Sequence, residues 1–178
     1  HDPVTGRHIY RYPLVQFKVL GAIPHIIALT QKAVNIFTDI FMDMENIILD
    51  ERRIPIHEKD LRIEAAKFGF SEESFMYEFA SPWLALNQKN YAAFKNLTRQ
   101  RDKDELLGRI LIGNILSMSK YLGVHLEPHE RIRADMRLKP QTVNLKGQKM
   151  VGFRGFFKTN FNLPDLAGLG KSVSRGFG

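Results

Sequence analysis

The sequence predicts an α+β protein built from two helix-on-sheet units in tandem. Two amphipathic helical patterns, at residues 31–42 and 102–122, are each set among β-branched and aromatic runs. No Gly/Ser/Pro-rich linker separates the two groups, so the units follow one another directly.

The first unit opens with Ile9 to Leu20 (IYRYPLVQFKVL), in which β-branched and aromatic residues carry period-2 stretches. Gly21 separates it from a second apolar run, Ile23 to Leu29, and the pair reads as a β-hairpin. Gln31 to Met42 then places Ala33, Val34, Phe37, Ile40 and Phe41 at helical spacing. Ile47 to Ile56 and Leu61 to Phe68 read as strands, the first followed by a turn at Pro55. Strand, strand, helix, strand is the last part of a ferredoxin-like unit whose opening strand and helix would precede His1.

The second unit is expected to run over residues 73–178, after a first unit of 1–72. Phe75 to Leu86 (FMYEFASPWLAL) is a predicted strand leading into the chain's single tryptophan, and Asn87 to Leu97 a short helix. Asp102 to Leu122 is the strongest helix: acidic residues open it, and Leu106, Leu107, Ile110, Leu111, Asn114, Ile115 and Met118 form its buried stripe. Gly123 is its stop signal. Ile132 to Leu138, Thr142 to Leu145 and Met150 to Phe161 read as strands separated at Pro140 and Gly147.

Charge narrows the partners. The 178 residues carry a net +7, yet from Arg131 onward ten basic residues face two acidic ones, so the rest of the chain sums to −1. A basic region on a neutral body points to a polyanion, nucleic acid before a membrane surface. The chain has no cysteine, which removes disulfides and thiolate metal sites and fits a reducing cytoplasm. No apolar run spans a membrane and no signal-peptide pattern is present. A start at histidine and an end in a glycine loop lead us to expect native residues beyond both ends.

That ending, Gly168 to Gly178 (GLGKSVSRGFG), is the most distinctive stretch. Glycine permits positive φ and close backbone approach, and successive amides can form an anion-binding nest. Ser172 and Ser174 add hydroxyls, while Lys171 and Arg175 add charge. The reading is a phosphate-binding loop. It is not a P-loop, because Asp165 stands where the first glycine belongs and no long helix follows Lys171-Ser172.

At the other end, His1-Asp2-Pro3-Val4-Thr5-Gly6-Arg7-His8 gathers two imidazoles and an arginine around a short turn. One histidine can accept a proton while another donates one, and arginine can stabilise an anionic phosphorane, which suits RNA cleavage by the neighbouring 2′-hydroxyl. His125 and His129 bracket Glu127, but Pro128 interrupts any helix that would align them for a metal. No metal ligand set and no cofactor motif is assigned.

Leu163 to Gly178 (LPDLAGLGKSVSRGFG) resembles the glycine-rich C-terminal signature of CRISPR-associated repeat-processing endoribonucleases of the RAMP superfamily. Residues 10–18 (YRYPLVQFK), 81–87 (SPWLALN) and 112–118 (IGNILSM) resemble its subtype B branch, so the likeness covers nearly the whole chain. The resemblance implies two tandem ferredoxin-like (RRM-like) domains, the first lacking its opening strand and helix here. It also implies metal-independent cutting within CRISPR repeats, leaving 5′-hydroxyl and 2′,3′-cyclic phosphate ends. His1 falls at the family's catalytic histidine, in the second half of a His-x-His-Asp pattern; Arg7 and His8 fall about where a helper residue stands. RNA contacts are expected from Gly168, Gly170, Lys171, Ser172, Ser174, Arg175 and Gly176, and from Lys149 and Arg154 on the basic strands. CRISPR repeat RNA is the implied partner, with a second copy of the chain and subunits of a CRISPR effector complex as further candidates. The rival reading is a non-catalytic RAMP subunit that holds guide RNA without cutting it.

Overall fold

The computed structural model describes residues 11–49 and 51–178. The fold is α+β. β1 (Val15–Leu20) and β2 (Ile23–Ala28) form an antiparallel hairpin, with Gly21 at φ 63° in the turn. Helix α1 (Gln31–Asp43) follows, capped by the Thr30 side chain, which accepts from the Ala33 amide.

Here the structure departs from the sequence pattern. Ile47 to Ile56 is a second hairpin, β3 (Asn46–Leu49) with β4 (Arg52–Pro55), whose turn includes Glu51 at φ 66°. Leu61 to Phe68 is not a strand. The segment has the composition of one but, among the described residues, no neighbouring strand to complete a ladder, and Leu61 and Ile63 stand exposed. It is fastened to α1 by Lys59, whose Nζ donates to the Met42 carbonyl at 2.7 Å and lies over the Phe41 ring.

The C-terminal part is built on a three-stranded antiparallel sheet. β5 (Gly69–Glu78) leads into a non-strand segment that continues alongside β7, then α2 (Gln88–Asn96) and α3 (Gln100–Tyr121), and then β6 (Ala134–Leu145) and β7 (Gln148–Asn162). The spatial order is β5-β7-β6, with the last strand between the first two. β5 and β6 are both antiparallel to β7 and hence parallel to each other, the split βαβ arrangement of a ferredoxin-like unit.

The predicted strands 132–138 and 142–145 are one continuous strand through Pro140. A proline breaks a ladder only where its N–H is needed, and β6 lies at the sheet's edge. Lys146 and Gly147, both at positive φ, make the two-residue turn into β7. Trp83 lies outside any strand, but it exchanges two backbone hydrogen bonds with Phe153 at 2.8 and 2.9 Å and so extends the ladder by one bridge.

The core forms between the sheet and α3. Leu107, Leu111, Ile115 and Met118 face it at spacings of four, four and three, as the helical stripe predicts. Opposite them sit Phe153, Phe157 and Phe161 from alternate positions of β7. Trp83 stacks on Phe79 at 5.1 Å and donates its indole N–H to Asn114 Oδ1 at 3.2 Å.

Candidate functional site: the seated glycine-rich loop

The loop from Gly168 to Gly178 is wedged between β1 and the 81–86 segment. Tyr12 OH donates to the Gly168 carbonyl at 2.8 Å, and the Gly168 amide donates to Gln16 Oε1 at 2.8 Å. Gln16 in turn donates to Tyr12 OH at 2.9 Å, closing a small ring of bonds between the first hairpin and the loop. Two residues along the same face of β1, Lys18 Nζ donates to Ser81 Oγ at 3.4 Å and, over a short contact, to the Gly178 carbonyl. Ser81 Oγ donates to the same carbonyl at 3.3 Å.

Both Gln16 and Lys18 are 1% exposed. A buried ammonium costs free energy unless it is well solvated by the protein, and here burial pulls Lys18 down to about 8. Burial also raises Tyr12 to about 12, although the Gln16 hydrogen bond works against the shift. These polar groups form the inner lining of the seam between the N-terminal hairpin and the C-terminal unit.

The glycines are where the seat demands them. A Cβ on Gly170, at φ 88°, would stand 2.6 Å from Trp83 Nε1. One on Gly168 would stand 2.5 Å from Val173 Cγ1, and one on Gly178, at φ 87°, would overlap the Leu169 carbonyl. Leu169 and Val173 are the apolar pegs that hold the loop down. A 3₁₀ turn over Val173–Arg175 lies between Ser172 and Gly176, both left-handed.

Several amides of the expected nest already have partners inside the fold: Lys171 donates to the Leu84 carbonyl, Arg175 to Ser172, Gly176 to Val173 and Gly178 to Pro82. Lys171 Nζ donates to the Leu86 carbonyl at 2.9 Å, and burial lowers its pKa. Ser174 and Arg175 are exposed on the turn, while Ser172 is half-buried. Lys149 and Arg154 lie on β7, exposed, opposite Asn144 and Lys139 of β6.

His1, Arg7 and His8 lie outside the described residues. Among the described residues no cluster of three His, Asp or Glu side chains could hold a metal ion, and no helix is long and apolar enough to cross a membrane. Tyr12, Gln16, Lys18 and Ser81 were given no role from the sequence, and Asn114 was read only as part of the helix's buried stripe. The available signal was a glutamine and a lysine at alternate positions of an otherwise apolar strand, VQFKVL.

A split-βαβ sheet closed by a glycine-rich loop, next to a hairpin–helix–hairpin unit, defines a tandem ferredoxin-like α+β protein. The chain belongs to the Cas6b family: the Cas6b N-terminal domain matches residues 1–67 and the Cas6b C-terminal domain residues 69–178. A crystal structure of Cas6b superposes with a TM-score of 0.90 at 38% identity, over 98% of this chain and 79% of that one. A CRISPR RNA processing endoribonuclease Cas6b superposes at 0.80 and 39% identity, over 94% of this chain and 80% of that one. An uncharacterised protein of Methanocaldococcus jannaschii, MJ0978, is 46% identical over 118 residues, 66% of this chain and 78% of its own length.

Proposed function

We propose that the chain is a CRISPR RNA processing endoribonuclease that cuts precursor RNA within its repeats, without a metal ion, leaving 5′-hydroxyl and 2′,3′-cyclic phosphate ends. The observation that carries this reading is the near whole-chain likeness, at 39% identity, to a CRISPR RNA processing endoribonuclease Cas6b. On this reading residues 1–72 and 73–178 are its two units, a division close to where the two family matches meet. On this reading the reaction takes place in the cytoplasm.

The chemistry needs only protons and charge. His1 takes the proton from the 2′-hydroxyl, whose oxygen attacks the adjacent phosphorus. The 5′-oxygen leaves with a proton from His8, and Arg7 offsets the charge of the phosphorane between. Each bond formed to phosphorus is matched by one broken, and the cyclic phosphate results without water. Ser172, Ser174 and Arg175 on the loop's outer turn, with Lys149 and Arg154, hold the RNA backbone. Gly168, Gly170 and Gly176 keep the loop in its seat, and Lys171 anchors it while adding positive charge.

His1→Ala should lower the cleavage rate of repeat RNA roughly a hundred- to ten-thousand-fold while RNA affinity stays near wild type. An undiminished rate removes His1 from the mechanism. Repeat RNA that is bound and never cut by the wild-type protein would make the chain a guide-holding subunit instead.

A further inference from the structure

The face of the β5-β7-β6 sheet that points away from α3 carries a pattern that the loop and the histidines do not use. Side chains alternate along a strand, and residues 153, 157 and 161 of β7 face the core, so 154, 156 and 158 face outward. The strand register then sets Arg154 beside Lys139, Phe156 beside Arg137 and Lys158 beside Asp135 on β6. On β5, Met76 lies beside Lys158 and Glu78 beside Phe156.

Phe156, on the central strand where apolar side chains are ordinarily covered, is 46% exposed, and Met76 beside it on β5 is 66% exposed. Arg137, Lys139, Arg154 and Lys158 surround them and outnumber Asp135 and Glu78. Among the described residues the ion pairs are Arg62–Asp60 and Arg101–Glu105, so contact pairing neutralises none of these four cations. Arg137, Lys139, Arg154 and Phe156 line one shallow groove of about 370 Å³, and Arg137 and Phe156 also border a second depression with Met76 and Lys158.

We infer that this sheet face is a docking platform for an unpaired stretch of RNA, with one base stacked on Phe156 and neighbouring phosphates on Arg137, Arg154 and Lys158. An exposed aromatic ring on a sheet face, ringed by cations, matches splayed-out bases on a backbone charged at regular intervals. A duplex keeps its base faces stacked inside and gives such a ring nothing to receive. The inference rests on the RNA-processing reading and deepens it, adding a second contact region on the outer sheet face.

The test is fluorescence anisotropy with a labelled ten-nucleotide single-stranded RNA of non-repeat, non-pairing sequence, alongside cleavage of repeat RNA by the wild-type protein. Phe156→Ala should weaken oligonucleotide binding roughly five- to a hundredfold at unchanged salt slope, and Phe156→Tyr should restore it. Arg137→Ala and Lys158→Ala should each flatten the log-log salt slope by about 0.7. All four variants should melt near the wild-type temperature. Oligonucleotide binding that survives Phe156→Ala, or equal competition by a duplex of the same sequence, overturns the inference. If that happens while the wild-type protein still cuts repeat RNA, the platform is wrong and the enzyme reading stands. If instead the wild type cuts no repeat RNA but Phe156→Ala weakens the oligonucleotide as predicted, the enzyme reading falls and the platform remains.

Discussion

Gly170→Ala separates two roles that a glycine-rich loop can have, seating against the protein and close approach to a ligand. The new Cβ would meet Trp83 Nε1 at 2.6 Å where ordinary contact begins at 3.4 Å, so ring or loop must retreat by 0.8 Å. Trp83 is fully buried, stacked on Phe79 and tied to Asn114, and overpacking of this kind costs about 1–3 kcal/mol. Holding alanine at φ 88° adds strain of about 1–2 kcal/mol. Together these give roughly 2–5 kcal/mol, or ~5–20 °C in melting temperature for a chain of this size. Gly21→Ala is the internal control: it too has positive φ, but nothing lies within 4 Å of its Cβ, so only the strain remains. Thermal melts of the two variants, followed by the single tryptophan's fluorescence, isolate the packing contribution. A Gly170→Ala protein that melts no lower than Gly21→Ala would refute the seating argument. If it also lost RNA affinity, the glycine would be there for the ligand.

Two further predictions concern the polar groups of the seam and core. Asn114→Leu leaves the buried Trp83 indole N–H without its acceptor and should cost about 1–3 kcal/mol in urea unfolding, whereas an unchanged midpoint would mean that the indole is satisfied elsewhere. Lys18 gives a pH signature: its folded pKa of about 8 lies below the ordinary lysine value of 10.5, so above pH 8 the unfolded chain binds the extra proton and stability rises with pH. Tyr12 has the opposite sign, because its pKa is raised from 10.0 to about 12 and the unfolded chain loses its proton first, so stability falls above pH 10. Lys18→Met should abolish the rise expected between pH 8 and 9.5 in wild-type melts, and a rise that persists in the variant assigns it to another group.

The long helix and its stripe were legible because one buried face imposes a 3.6-residue period, and α3 repeats it over 22 residues, about six turns. The outer hairpins were legible from their turns. Leu61 to Phe68 was misread because a strand's composition does not supply its partner, and the break placed at Pro140 ignored that an edge position forgives a missing N–H. β1 was the deepest inversion: Val15 and Val19 are exposed while Gln16 and Lys18 are buried, against the usual rule. The cause lies about 150 residues away, in the Gly168 and Gly178 backbone groups that those side chains satisfy. Local pattern carries no information about such distant partners. For the same reason the loop's charges and glycines were visible in sequence, while its seat on Trp83, Leu84 and Leu86 was not.

The most direct test of the central claim uses repeat RNA with a single 2′-deoxynucleotide on the 5′ side of the scissile phosphate, incubated with the protein in EDTA. The attacking oxygen is then missing while every phosphate remains. Binding should be full, the substituted RNA should stay uncut, and the all-ribose control should be cleaved to a 2′,3′-cyclic phosphate end. Cleavage of the deoxy-substituted strand at that phosphate, or loss of all activity in EDTA that added divalent metal restores, would contradict it.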